Sequence, residues 1–201
     1  PDPDLPNVLI IGDSISIGYT RLVRTQLQER ANVFRPMQKN GHHPINAGDT
    51  QRGLDQLETW LGERDWDVIH FNWGLWDLCY RHPKSTNQGK RDKVNGHIST
   101  TPEDYRKNLT QLVEQLKATD ATLIWAHTTV VPEGEAGRHV GDDIKYNRIA
   151  AEIMHRHDIA IDDLHALTQT FPPEDFIRPG DVHFTPAGYA KIARQVAQHI
   201  T

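Results

Sequence analysis

The chain has 201 residues, 37% hydrophobic and 24% charged, with a formal net charge of -5, which is the size and balance of one ordinary globular domain spanning residues 1–201 and not of a disordered chain. Nucleic acid is not expected as a partner, because Lys and Arg are too few for phosphate neutralisation. No apolar run approaches the roughly 18–20 residues that span a bilayer, and the single cysteine, Cys79, excludes an intrachain disulfide and a thiolate-rich zinc site.

In chain order, the apolar run Asn7 to Ile11 predicts a strand and Ile17 to Glu29 a helix. A second strand follows at Asn32 to Arg35, with a helix at Arg52 to Gly62. The third strand, Asp67 to Asn72, precedes a helix at Pro102 to Ala118, and the fourth, Thr122 to Ala126, precedes one at Asp142 to His157. A fifth strand, Ala160 to Asp162, leads to a last helix at Pro186 to His199. This alternation implies βαβ units and an α/β/α sandwich around a short five-stranded parallel sheet. Thr101-Pro102 and Thr185-Pro186 each place an N-cap before a proline whose missing N–H costs nothing there. The polar segments Leu78 to Thr100 and Thr128 to Gly141 are too long for simple connections and are read as substrate-binding walls or lids. The chain begins at Pro1, not Met, which leaves open an exported, periplasmic or extracellular protein whose leader has been removed.

Gly12-Asp13-Ser14 follows the first strand and opens a helix. In an open parallel sheet that is the crevice where ligands bind, with helix N–H groups able to face a developing oxyanion. Taken alone, the tripeptide is more often an ordinary turn with a cap. Asp181-Val182-His183, just before the last helix, supplies the rest of a nucleophilic set. A serine hydroxyl needs a base to take its proton and an acid to orient that base.

These segments resemble the first and last blocks of the SGNH (GDSL-like) hydrolases. Asn46-Ala47-Gly48-Asp49-Thr50 resembles the second block, whose glycine N–H serves the oxyanion hole, and Gly74-Leu75-Trp76-Asp77 the third, usually Gly-x-Asn-Asp. The resemblance implies the SGNH (flavodoxin-like) fold and a serine esterase with Ser14 as nucleophile, His183 as base and Asp181 as orienting acid. No cofactor is needed. The carboxylate stands two residues before the histidine, where the family usually has three, and Trp76 replaces the oxyanion-hole asparagine. Strand alternation makes Asn72 the best-placed substitute donor beside the N–H groups of Ser14 and Gly48; the alternative is that Asn72 merely satisfies loop backbone.

Asp13, Trp76, Asp77, Tyr80 and Arg81 are candidate substrate-binding residues. Trp76 and Tyr80 would suit a sugar face, and Trp73 core packing. Arg81, Arg91 and Lys93 would suit an acidic substrate group, against the alternative of a solvated charged loop. No helical His-Glu-x-x-His pair occurs, so no metal is expected. The polar loops favour a short acyl group, such as acetyl, on a small-molecule or carbohydrate ester. The alternatives are an arylesterase, thioesterase, lipase or acyltransferase of the same superfamily, or a non-catalytic carbohydrate-binding relative.

Overall fold

In the computed structural model, which describes residues 1–201, the apolar runs form β1 (Asn7–Ile11), β2 (Asn32–Phe34), β3 (Val68–Phe71), β6 (Thr122–Ala126) and β7 (Ala160–Asp162). All pair in parallel, in the order β2-β1-β3-β6-β7. Val8, Leu9, Ile10 and Ile11 are all buried, as expected of a central strand covered on both faces. Helices α1 (Ser14–Gln26) and α6 (Pro186–Ile200) pack together on one face. On the other, α2 (Thr50–Leu61), α3 (Pro102–Lys117) and α4 (Asp142–Arg156) pack in sequence, completing three layers. The short α5 (Leu164–Gln169) lies against α6.

Strand order fixes where a site can form. The chain leaves β1 to one side, for β2, and returns to its other side for β3, so the carboxyl ends of β1 and β3 flank a topological switch point and its crevice. Ser14 follows β1 there, and the Gly74–Asp77 turn follows β3.

Two helices start earlier than periodicity predicts, because the cap, not the apolar stripe, sets the boundary. The Asp13 side chain accepts the Ile15 N–H, so α1 begins at Ser14, and Asp49 accepts the Arg52 N–H, so α2 begins at Thr50. Residues 78–100 are more ordered than a loop: β4 (Tyr80–Arg81) and β5 (His97–Ile98) pair antiparallel within them.

Candidate active site

Ser14 is the first residue of α1, and its N–H makes no intramolecular hydrogen bond, as expected at a helix start. Its hydroxyl lies 2.8 Å from His183 Nε2, and His183 Nδ1 lies 2.7 Å from Asp181 Oδ1. The same Asp181 oxygen accepts the His183 backbone N–H at 3.0 Å, while Arg178 Nη2 holds the other oxygen at 2.9 Å. The two-residue spacing therefore closes a tight turn in which one carboxylate grips both the ring and the backbone of the same histidine. Burial alone would raise the Asp181 carboxyl, but the bonds from the His183 ring and backbone and the Arg178 charge outweigh it and hold it below its ordinary value. The arrangement can draw a proton from a hydroxyl to an imidazole whose cation faces a fixed negative charge.

A cleft of about 200 Å³ opens over Ser14 and His183. It is also lined by Asp13, Asn46, Leu75, Trp76 and Val182, and by Arg81, Gln88, Gly89, Arg91 and Arg138. Of the three expected oxyanion donors, Ser14 keeps a free N–H, and the other two are engaged elsewhere. Asn72 lies just beyond the last paired residues of β3 and β6, Phe71 and Trp125. There its Nδ2 donates to the Ala126 carbonyl at 2.8 Å, and it lines a separate small cavity with Ser16 and His127. Strand alternation does not register that a carbonyl at the end of a ladder needs a donor. Gly48 adopts the expected left-handed turn, with φ of 66°, but its N–H donates to Asn46 Oδ1 at 2.9 Å. That bond fixes the orientation of the Asn46 carboxamide, because only the oxygen can accept. Asn46 Nδ2 is left without a partner inside the protein, in the cleft.

Of the candidate substrate residues, Trp76 and Arg81 line the cleft, with the Arg81 guanidinium 4.5 Å over the Trp76 ring. Asp13 lines it too, although its carboxylate is engaged in capping α1 and burial pushes that carboxyl above its ordinary value. Asp77 and Tyr80 do not line it. Asp77 is fully buried, and its Oδ1 accepts both the N–H and the hydroxyl of Thr50, which ties the β3 turn to the start of α2. Burial pushes its carboxyl up to about 7 against those bonds. Tyr80 turns its ring edge-on to His139, 5.0 Å away. Trp73 is buried in the core, as expected. Arg91 is no solvated loop charge: its side chain is 14% exposed and bonds Glu135. Lys93 does not line the cleft.

Two positioning groups escape the sequence reading. Arg35, at the end of β2, is buried behind the nucleophile turn, donating to the Gly12 and Ile45 carbonyls and to the Ser16 and Thr20 hydroxyls. Burial lowers its guanidinium to about 10. Glu135, wholly buried, collects Arg91 and Arg138 on a single oxygen. Neither has a periodic or motif signal: the partners of Arg35 lie 10 to 23 residues away, and Glu135 joins Arg91, 44 residues away, to its near neighbour Arg138.

Residues 10–191 match the profile of the GDSL-like Lipase/Acylhydrolase family. No curated protein sequence matches the chain. Among solved structures, a lipase/acylhydrolase from Enterococcus faecalis superposes with a TM-score of 0.75 at 17% identity, covering 98% of this chain and 95% of that one. The acetyl xylan esterase AlAXEase gives 0.73 at 14% identity over 97% and 100% of the two chains. The acetylxylan esterase Axe2 from Geobacillus stearothermophilus gives 0.72 at 18% identity over 97% and 94%.

Proposed function

This carboxylic ester hydrolase belongs to the GDSL-like lipase/acylhydrolase family, and we propose that it is a serine esterase whose triad is Ser14, His183 and Asp181 and whose substrate is a short-chain acyl ester, in the first instance an acetyl ester, of a carbohydrate. The observation that carries the reading is the continuous chain from hydroxyl through imidazole to carboxylate, at 2.8 and 2.7 Å.

Ser14 Oγ attacks the ester carbonyl carbon while His183 Nε2 takes the hydroxyl proton. The oxyanion is met by the Ser14 N–H and by the Asn46 carboxamide, whose NH₂ makes no bond inside the protein and whose residue lines the same cleft. Collapse of the tetrahedral intermediate expels the alcohol, to which His183 returns the proton, leaving an acyl group on Ser14. Water then attacks the acyl-enzyme by the same route, again losing its proton to His183, and the acid departs. Asp181 holds the imidazole in the tautomer that presents Nε2 to the hydroxyl.

The size of the acyl group is argued from the cleft. Its volume of about 200 Å³ and its short apolar lining, Leu75, Trp76 and Val182, leave little for a long hydrocarbon chain to bury against. Asn46, Gln88 and three arginines suit a hydroxylated alcohol portion, and two of the esterases that share the fold act, by their names, on acetylated xylan. The test compares 4-nitrophenyl acetate with the octanoate, then follows acetate release from acetylated oligosaccharides. A kcat/KM that falls with chain length, together with acetate release, is expected. A preference for the octanoate would remove the short-acyl assignment.

A further inference from the structure

We propose, on the footing of the esterase reading above, that the cleft recognises carboxylate groups carried by the molecule that bears the ester, making an O-acylated uronic acid or oligouronide the substrate class. Although the protein is net negative at -5, the cleft that holds Ser14 is lined by three guanidinium groups, Arg81, Arg91 and Arg138. One carboxylate serves two of them: Glu135 Oε1 accepts from Arg91 Nη1 at 2.5 Å and from Arg138 Nη1 at 2.9 Å, while Oε2 is taken by the Gly137 N–H at 2.6 Å. Arg81 is held only by the Gly89 carbonyl and the Trp76 face. Against these three guanidinium groups stand two carboxylates, Glu135 and Asp13, the latter within electrostatic reach of Arg138, so positive charge remains in excess in the cleft. The one carboxylate lining the cleft itself, Asp13, is buried and occupied as a helix cap.

Solvated surface arginines would explain nothing here. Arg138 is 4% exposed, its Nε and Nη1 are fixed by the Leu75 carbonyl and Glu135, and its Nη2 has no protein partner. Glu135 is shared between Arg138 and Arg91, and a guanidinium fork with an edge left open matches a further carboxylate. The positive lining continues past the ester. A second cavity shares Asn46 with the cleft and includes Lys39 and Arg52 in its wall, with no acidic residue. Cations beyond both sides of Asn46 fit a chain of uronic acid units in which one unit presents its ester to Ser14 and another lies across the second cavity.

The test measures acetate release from an O-acetylated oligogalacturonide and from the same oligomer with every carboxyl methyl-esterified, which removes the charges and keeps the sugar and its acetyl groups, with methanol release followed in parallel. We expect kcat/KM to favour the free acid by roughly tenfold or more at low ionic strength, with the preference shrinking as salt rises. Arg81→Gln and Arg138→Gln should each cut the ratio of acid to methyl ester severalfold, with melting transitions recorded in parallel. Should the Arg138 variant fail to fold, Arg81→Gln decides, since its guanidinium bonds no side chain. A wild-type ratio near one, or variants that lower both substrates equally, would overturn the proposal, as would a stronger preference for an O-acetylated sulfated oligosaccharide. Failure to hydrolyse even 4-nitrophenyl acetate would instead overturn the esterase reading beneath it.

Discussion

Replacing Asn46 separates two sources of oxyanion stabilisation that the geometry has coupled. The Asn46 oxygen occupies the Gly48 N–H, and its nitrogen has no protein partner, on a residue that lines the same cleft as Ser14. Asn46→Asp keeps the bond to Gly48, because a carboxylate oxygen accepts as an amide oxygen does, but replaces the free NH₂ with a negatively charged oxygen facing the intermediate. One donor is lost and a repulsion is added. Loss of a single donor costs about 10²–10³ in kcat, or roughly 2.7–4 kcal/mol, so the Asp variant should fall by at least that factor with little change in KM. Asn46→Ala removes the same donor but releases the Gly48 N–H, which can turn to the same task, so its loss should be smaller by about an order of magnitude. Steady-state kinetics on 4-nitrophenyl acetate read both parameters, and burst kinetics confirm that acylation is the step affected. A wild-type kcat in the Asp variant, or an Ala variant more damaged than the Asp one, would refute the assignment.

Asn72→Ala should leave kcat near wild type yet lower stability by about 1–3 kcal/mol, because the Ala126 carbonyl loses its donor; a large kcat loss at unchanged stability would restore Asn72 to the oxyanion hole. Arg35→Met removes four bonds that brace the nucleophile turn, and urea melts should show a loss of more than about 2 kcal/mol. Burial raises the folded Asp77 carboxyl to about 7, so the folded state holds that proton more tightly than the unfolded chain. Its contribution is fully favourable below the ordinary carboxyl value near 3.9 and is lost as pH rises toward about 7, at most about 1.4 kcal/mol per pH unit. The stability of Asp77→Asn relative to wild type should therefore climb between pH 4 and 7 and level off above; parallel pH curves would contradict it.

The five parallel strands and five of the six helices were legible because each carried an apolar run or a cap and proline at its start, as in Val8 to Ile11 and Thr185-Pro186. The short α5 was missed: six residues under the Asp163 cap are too few for a helical period to declare itself. Ser14, Asp181 and His183, expected together from their types and the family resemblance, do lie together, and the two-residue acid spacing still lets the carboxylate reach the ring. The donor side was less legible. Asn46 and Asn72 stand in equally suggestive places, and what separates them is which backbone group each satisfies, a matter of pairing between β3 and β6 and of the Gly48 turn. Arg81 and Arg91 were visible as charges in a loop, but Arg138 was not singled out, and Glu135, which turns Arg91 and Arg138 into fixed groups, lies more than forty residues from Arg91.

The central claim is that Ser14 is the nucleophile of an acyl-enzyme. Intact protein treated with a fluorophosphonate and digested for mass spectrometry should carry one adduct, on Ser14, with loss of ester hydrolysis in proportion to labelling. Ser14→Ala should neither label nor turn over 4-nitrophenyl acetate while melting as the wild type does. An adduct elsewhere, or wild-type turnover in a folded Ser14→Ala protein, would contradict the account.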